Sequence, residues 1–330
     1  MKSSLVLGLL LVSAVAAAEP APHPVDLGTL GGDFSTATDI NEREQVVGSS
    51  FTAADHLHAF RWERGHFTDL ETLGGPTSRA SAINSHGDVV GASTPRADSL
   101  DEVAFVWRGR GPLVSLGALP GDRVSQANDI NDRGDVVGQS GTGTRRAVIW
   151  RDGHIEALPS SAADLGIANA INNSGQVVGV AVVKTVGTRA VLWENGTMKV
   201  LGTLAGTPDA TSVATGIDEH GRIVGRSTTP SGLQHAFLFE NGEFTDLGAL
   251  TELGISSAAH IARNGLIAGY VTNEADAQVA ALWRKRHIID LGTLNPFGTS
   301  FANAVNSKGH VVGAATAGGE DADLHAVLWR

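Results

Sequence analysis

Five side chains in the connections between repeated segments could take part in recognition or catalysis: Asp33, Asp122, Arg123, Asp209 and Phe297. Carboxylates together with an arginine and an aromatic ring could hold a sugar or a peptide. Two of the carboxylates could also cleave a glycosidic bond, which requires a separation of roughly 5 to 9.5 Å between them. The presence of any single one of these aspartates is more simply explained by its stabilising a Gly-Gly-Asp or Pro-Gly-Asp turn.

Other kinds of chemistry find less support in the residues. Oxygen-rich loops can bind calcium, but the acidic loops of this chain match no calcium-binding motif, so we expect solvated charge and no cofactor. The twelve histidines form no metal-binding pattern, and the chain has no cysteine. The sequence also lacks a Gly-x-Ser-x-Gly elbow and a phosphate-cradling glycine loop. The acidic loop groups are Asp98, Asp101 and Glu102; Glu274 and Asp276; and Glu320, Asp321 and Asp323.

The elements that must position these residues form a sevenfold repeat. Each unit reads Ile-Asn-x-x-Gly-x-Val-Val-Gly, then a variable loop, then His-Ala-Phe-Leu-Trp and Asp-Leu-Gly-Thr-Leu-Gly-Gly, with substitutions. A repeat of about 40 to 50 residues is typical of propeller blades. The last glycine of Val-Val-Gly recurs every 41 to 47 residues, at Gly48, Gly91, Gly138, Gly179, Gly225, Gly269 and Gly313.

Each unit predicts four short antiparallel strands, which is one blade of a β-propeller. Asn-Gly and Asp-Gly pairs between alternating apolar residues indicate hairpins within the units. The seventh unit lacks its fourth strand, and an unpaired strand precedes the first unit. We therefore predict an all-β, seven-bladed propeller in which residues 25–30 complete the C-terminal blade. Residues 25–330 then form one domain after a short lead, residues 19–24.

One large aromatic residue recurs at the same point of every unit. Such a ring is best explained as a core residue packed between adjacent sheets. The glycine of the first tight turn is less regular, because the first unit carries Glu44 there, so either that turn differs or Glu44 is strained. The recurring aromatic residues are Trp62, Trp107, Trp150, Trp193, Phe239, Trp283 and Trp329.

Residues 1–18 predict a signal peptide that is cleaved after Ala18. Lys2 is followed by an apolar stretch and by three alanines, the pattern that a signal peptidase recognises. The stretch is too short to span a bilayer comfortably, so we expect a secreted or periplasmic monomer without membrane insertion. The net charge is −11, or −12 once Lys2 is removed. That acidity argues against nucleic-acid partners.

The segments His58-Ala59-Phe60 and His235-Ala236-Phe237, with the variants Val103-Ala104-Phe105 and His325-Ala326-Val327, resemble the repeat that names the HAF family. That family consists of predicted extracellular repeat proteins of bacteria. The resemblance covers about 25–330 and implies export and a propeller-like repeat. It carries no catalytic residue set. The sequence lacks the Trp-Asp pair of WD40 repeats and the Asp-box of sialidases.

The functional expectation is a non-catalytic binding or interaction scaffold that uses the loops at one face of the propeller. The partner at that face would be a glycan, a peptide or a protein. Two alternatives stay open. One is a carbohydrate-active hydrolase or lyase with acidic residues at the funnel of the propeller, and the other is a surface protein with only protein partners.

Overall fold

The computed structural model describes residues 22–160, 165–285, 287–318 and 323–330. In these ranges the chain forms seven four-stranded antiparallel sheets arranged as a ring, with no helix. No helix long and apolar enough to cross a membrane occurs in the described part of the chain. The predicted seven-bladed propeller is confirmed. The predicted signal peptide, residues 1–18, lies outside the described residues.

The strands follow the repeat, four to a unit. The innermost strands of the seven blades are β2, β6, β10, β14, β18, β22 and β26. In chain order the strands are β1 (Pro24–Gly28), β2 (Gly31–Ile40), β3 (Val46–Thr52), β4 (Leu57–Glu63), β5 (His66–Asp69), β6 (Ser78–Ile83), β7 (Val89–Ser93), β8 (Val103–Trp107), β9 (Val114–Ser115), β10 (Ser125–Ile130), β11 (Val136–Ser140), β12 (Arg146–Arg151), β13 (His154–Ala157), β14 (Gly166–Ile171), β15 (Val177–Val183), β16 (Gly187–Glu194), β17 (Thr197–Gly202), β18 (Ser212–Ile217), β19 (Ile223–Thr228), β20 (Gln234–Glu240), β21 (Glu243–Asp246), β22 (Ser256–Ile261), β23 (Ile267–Thr272), β24 (Gln278–Arg284), β25 (His287–Asp290), β26 (Ser300–Val305), β27 (Val311–Thr316) and β28 (Leu324–Trp329).

The antiparallel order gives the ring two different faces. One, the turn face, carries the tight turns between the first and second strands of each blade and the hairpins between the third and fourth strands. The other, the loop face, carries the connections between blades and the loops between the second and third strands. The tight turns span residues 41–45, 84–88, 131–135, 172–176, 218–222, 262–266 and 306–310.

The ring closes as predicted, because β1 pairs with β28 and completes the seventh blade. This strand ends at Gly28 rather than at residue 30. Gly28 has a φ of 86°, so the chain turns there and leads into the first blade. Asp26 accepts a hydrogen bond from His325 at 2.7 Å, and Ser35 of the first blade accepts one from the Ala326 N–H at 2.8 Å. Closure therefore joins the first and last blades by side chains as well as by strand pairing.

The glycine of each Val-Val-Gly element is required by a close approach of two strands. A β-bulge interrupts the pairing of the first and second strands in every blade, as between Ala168 and Ala170 in the fourth. The carbonyl oxygen of Ile167 lies only 2.0 Å from the place where a Cβ on Gly179 would be. The other six glycines stand at 1.9 to 2.0 Å from the equivalent oxygens. Because no side chain fits there, the repeat admits only glycine.

The recurring aromatic side chains lie between neighbouring blades. Trp107 is 5% exposed and belongs to a cluster with Val47, Ala59 and Leu70 of the preceding blade. The same arrangement recurs around the ring, and Trp329 packs against the sixth blade. Burying one large ring per interface adds apolar contact that holds each blade to the next.

The histidine of the His-Ala-Phe element has a structural partner in the same blade. His58 Nδ1 lies 2.9 Å from Asp69, and His235 Nδ1 lies 2.9 Å from Asp246. In each pair the aspartate comes from the Asp-Leu-Gly element on the outermost strand. The two most recognisable motifs of the repeat therefore meet across one sheet, at the outer edge of the loop face.

Glu44 occupies the left-handed region, with a φ of 63°. Its N–H donates to the Asn41 carbonyl at 3.1 Å, as Gly87 does to Asn84 in the next blade. The turn is therefore unchanged and Glu44 bears the strain. Lys308 of the seventh blade donates to its carboxylate at 3.0 Å, and this hydrogen bond lowers the pKa of Glu44. The side chain thus bridges the two blades where the ring closes.

Candidate functional site

A cavity of about 210 Å³ lies on the propeller axis at the turn face and is lined by the ends of the innermost strands. The residue that follows each bulge occupies an equivalent place on the innermost strand of every blade, which we call the axial position. This axial position holds a small residue in four blades: Ala82, Ala170, Gly216 and Ala304. In the other three blades it holds Asp39, Asp129 and His260, which all line the cavity. Titratable side chains therefore interrupt a ring that is otherwise made of small residues.

Both aspartates are held by backbone N–H groups. Asp39 accepts from Ile40 at 2.8 Å and from Ile83 of the next blade at 2.9 Å. Asp129 accepts from Ile130 at 2.7 Å and from Ile171 of the next blade at 2.8 Å. Because each carboxyl is tied to two blades, it cannot swing away from the cavity without losing those bonds. The site is therefore preorganised.

His260 completes the set from the opposite part of the ring. Its Nδ1 accepts a hydrogen bond from the Val305 N–H at 3.4 Å. Burial lowers the pKa of His260, so the ring is neutral at pH 7. With Nδ1 acting as acceptor, the proton of the neutral ring is on Nε2. His260 therefore brings one N–H donor to a wall on which Asp39 and Asp129 bring carboxyls.

The two axial carboxyls titrate near neutral pH. Burial raises the pKa of Asp39 to about 6, although the hydrogen bonds from Ile83 and Ile40 oppose it. Burial raises the pKa of Asp129 to about 7, and the charge of Asp39 adds to this rise. By surface exposure both residues are only half-buried, since they face a channel wide enough for water. At pH 7 Asp39 is mostly ionised and Asp129 is close to half-ionised.

The mouth of the cavity carries three further carboxylates, each fixed by a backbone N–H of the preceding blade. Glu42 accepts from Ser307 at 2.8 Å, and Asp132 accepts from Ser85 at 2.9 Å. Glu219 accepts from Asn173 at 3.2 Å. Arg263 is the cation among the residues that line the cavity. A low-dielectric funnel lined by one sign of charge concentrates ions of the opposite sign, so this mouth attracts cations and repels anions.

The turn asparagines hold the mouth rigid. Asn131 accepts from two N–H groups of its own turn, as expected for an asparagine there. Its amide also donates to the Asn172 carbonyl of the next blade at 3.2 Å. Asp218 interrupts this chain of amides, and Arg222 replaces the missing link by donating to the Arg263 carbonyl at 3.1 Å. The same amide-to-carbonyl contact is made by Asn41, Asn84, Asn172 and Asn306.

Two of the five residues singled out from the sequence have ion-pair partners on the loop face. Asp122 accepts from Ser140 at 2.7 Å and from Arg146 at 2.8 Å. Burial acts to raise the pKa of Asp122, but these hydrogen bonds outweigh it and lower the pKa. Arg123 lies 3.4 Å from Asp101 and remains largely exposed. Asp122 therefore helps to fix its loop, while Arg123 is accessible.

The other three residues are exposed at separate points of the loop face. Asp33 is exposed at the start of the first blade. A hydrogen bond from Thr207 lowers the pKa of Asp209. The Phe297 side chain is 98% exposed. Within the described ranges no hydrogen bond or ion pair joins any two of the five predicted residues. They remain a prediction for the loop face, not an assembled site.

Two residues of one acidic loop form ion pairs. Glu102 accepts from Arg79 at 2.8 Å, and Asp98 lies 3.5 Å from Arg96. Among the described residues no group of three or more histidines or acids is arranged to hold a metal ion. Glu320 and Asp321 lie outside those residues.

Sequence reasoning missed the axial position, although the sequence contains the signal for it. The residue directly before the repeated isoleucine is small in most units, and the exceptions are the residues that line the cavity. Aligning the seven units column by column isolates Asp39, Asp129 and His260. These residues lie on strands, directly after β-bulges, and not in the loops of variable length.

Comparison with known proteins assigns the chain to the β-propellers by fold alone. No protein-family model matches it, and no curated protein matches its sequence. A puromycin-hydrolyzing peptidase of Mycobacterium tuberculosis is similar with a TM-score of 0.63 and 14% identity, over 95% of this chain and 54% of that chain. A puromycin hydrolase is similar with a TM-score of 0.58 and 17% identity, over 92% of this chain and 51% of that chain. The acylaminoacyl peptidase of Pyrococcus horikoshii is similar with a TM-score of 0.53 and 14% identity, over 92% of this chain and 52% of that chain. The chain spans about half the length of these peptidases.

Proposed function

We propose that this chain is an exported, non-catalytic binding propeller whose ligand inserts a protonated amine into the axial cavity from the turn face. One observation carries the proposal: the axial position holds small residues in four blades and Asp39, Asp129 and His260 in the other three. Four blades close without a polar side chain at this position, so the fold does not need one. Three titratable groups at the wall of one cavity are better explained by a ligand.

The size of the cavity limits what can enter. At roughly 30 Å³ per water molecule, about 210 Å³ holds on the order of seven waters. This space fits a small cationic group carried by a larger molecule, and not a whole sugar chain. The larger molecule, a glycan with free amino groups or a peptide with a lysine, would rest on the turn face.

The chemistry of the wall fits an ammonium group. An ammonium has three N–H donors and no acceptor, and Asp39 and Asp129 provide carboxyl oxygens on two different blades. Entry of a positive charge favours the ionised form of both carboxyls. The carboxylates at the mouth attract the same charge before it enters.

The test is a calorimetric titration with glucosamine and with putrescine at pH 7, where both amines are mostly protonated. The unmodified chain should bind at least one of these amines. Asp129→Asn removes one charge with little change of shape and should weaken binding roughly 10- to 100-fold, since a hydrogen bond to a charged group is worth about 1.5–3 kcal/mol. Asp39→Asn should act in the same direction.

Asp33→Asn is the matched control, because it removes one carboxylate from the opposite face. It should leave the affinity unchanged. If amines bind and Asp33→Asn or Asp209→Asn abolishes that binding while Asp129→Asn does not, the loop face is the ligand site. If neither amine binds the unmodified chain, the proposal is wrong.

A hydrolase that uses the axial carboxyls is the second candidate. Asp39 and Asp129, with pKa values raised to about 6 and about 7, lie in the range in which a carboxyl can act as general acid or base at neutral pH. Incubation with a panel of oligosaccharides, followed by chromatography of the products, tests this role. Turnover that Asp129→Asn abolishes would replace the binding proposal with the catalytic one.

A further inference from the structure

A second candidate site lies away from the axis, at the outer part of the turn face. Two cavities adjoin there, one of about 370 Å³ between the second and third blades and one of about 780 Å³ between the third and fourth. Both are lined by Arg133, Asp135, Arg151 and Asp152. We call the two cavities together the arginine groove.

The smaller cavity of the groove is bordered by a short outer edge of the second blade. The outermost strand of this blade, β9, has two residues, whereas the outermost strands of the other blades have four to six. Val114 on this strand is 54% exposed. Arg108, in the hairpin before β9, therefore borders the smaller cavity instead of being covered by its own blade.

The guanidinium groups of the groove are half-exposed and make few hydrogen bonds, while Asp135, Asp152 and Glu156 all act on the charge of Arg151. Arg133 donates to Asp135 at 3.1 Å, and Arg151 donates to it at 2.9 and 3.3 Å. Two cations thus share one carboxylate that is 8% exposed, while each arginine side chain is 51% exposed. Arg108 has one ion pair, with Asp88 at 2.9 Å. Each guanidinium has five N–H donors, so several remain for a ligand in the groove.

Among the described residues, Trp150 lacks the indole hydrogen bond that its counterparts in other blades make. It is 3% exposed and lines the smaller cavity. Its indole N–H has no hydrogen-bond partner in the described part of the chain. The equivalent nitrogens of Trp107, Trp193 and Trp283 all donate to backbone carbonyls. Trp329 also lacks a partner but borders neither cavity.

We propose that the arginine groove binds the carboxylate of an acidic sugar. The planar fork of an arginine matches a carboxylate in two parallel hydrogen bonds, and Arg151 already holds the Asp135 carboxylate in this way. Asp152, Glu156 and Glu194 at the rim disfavour a dianion such as phosphate and accept hydrogen bonds from sugar hydroxyls.

The experiment titrates the intact chain with galacturonate and digalacturonate, with galactose as the neutral counterpart, and follows heat and tryptophan fluorescence. The uronates should bind and galactose should not. Arg133→Gln and Arg108→Gln should each weaken uronate binding about tenfold, the effect of losing a charged hydrogen bond. Trp150→Phe should remove most of the fluorescence change that binding causes.

Arg79→Gln is the matched control, because Arg79 is similarly exposed and has a single ion pair, with Glu102, on the loop face. It should leave uronate affinity unchanged. Melting curves of all variants identify any that fail to fold. If one of Arg133→Gln and Arg108→Gln fails to fold, the other still tests the proposal. Absence of uronate binding, or equal weakening by Arg79→Gln, would overturn the proposal. Binding of acetyl-glycine as tight as that of galacturonate would overturn the choice of a sugar.

Discussion

Replacing one glycine of the Val-Val-Gly element should damage the fold more than its small added volume suggests. A Cβ on Gly179 would lie 2.0 Å from the Ile167 oxygen and 3.1 Å from the Ala168 Cα. Ordinary van der Waals contact begins near 3.4 Å, so the two strands would have to separate by about 1.4 Å. That displacement lengthens the hydrogen bonds on either side of the bulge, between the first and second strands of the fourth blade.

The expected cost combines two effects. Forcing an extra methyl into a tight contact costs about 1–3 kcal/mol, and each weakened backbone hydrogen bond contributes about 0.5–1.5 kcal/mol. Gly179→Ala should therefore lower the free energy of unfolding by roughly 2–4 kcal/mol. The fourth blade also donates the Ile171 N–H to Asp129, so this variant tests stability alone and is not used to test amine binding.

Urea unfolding, followed by tryptophan fluorescence, measures the effect. Gly318→Ala is the matched control, since Gly318 is exposed, has no positive φ, and has no atom within 4 Å of its added Cβ. The control should unfold at the same urea concentration as the parent. If Gly179→Ala stays within about 0.5 kcal/mol of the parent, a typical limit for a neutral surface change, the steric explanation of the repeated glycine is wrong.

Three further predictions follow from the same structure. A chain that begins after Gly28 lacks the strand paired with β28, so it should melt lower and scatter light, and an unchanged melt would refute closure by this strand. Arg189 is 4% exposed and donates to the carbonyls of Thr188, Thr207, Pro208 and Ala210; Arg189→Met should cost about 2–4 kcal/mol in urea unfolding, and a neutral result would contradict the clamping role. In the folded chain the pKa of Asp129 is raised to about 7 from its ordinary value of 3.8. Between these two pH values the folded state binds more protons than the unfolded state, so this group makes unfolding harder as the pH falls from 8 to 5. Asp129→Asn should reduce the change in unfolding free energy between pH 8 and pH 5, and an equal change in parent and variant would contradict the raised pKa.

The architecture was predictable because the same strand pattern occurs in all seven units of the sequence. Seven copies of one strand pattern fix the blade, and the phase of the first and last copies fixes the closing strand. The end of that strand was less predictable, because nothing in the sequence shows that Gly28 takes a positive φ while Leu30 continues an apolar pattern. The turn at Glu44 was predictable only as a choice between two outcomes, which the contact with Lys308 across the ring decides.

The candidate sites were less predictable, because each depends on contacts between blades. The bulge before Asp129 and the N–H of Ile171 in the next blade together hold its carboxyl at the axis, and no local pattern reports either one. The arginine groove likewise combines a short outer strand in one blade with side chains from its neighbours. On the loop face, Asp122 looked available in the sequence, but Arg146, 24 residues further along the chain, pairs with it.

Proton release during amine binding tests the axial site most directly. Calorimetry at pH 7 in two buffers with different ionisation enthalpies counts the protons that leave the complex. A cation beside Asp39 and Asp129 must shift both carboxyls towards the ionised form, so binding of putrescine or glucosamine should release a measurable fraction of a proton. Asp129→Asn should abolish most of that release. Amine binding without proton release, or release that is unchanged in Asp129→Asn, would contradict a site on the propeller axis.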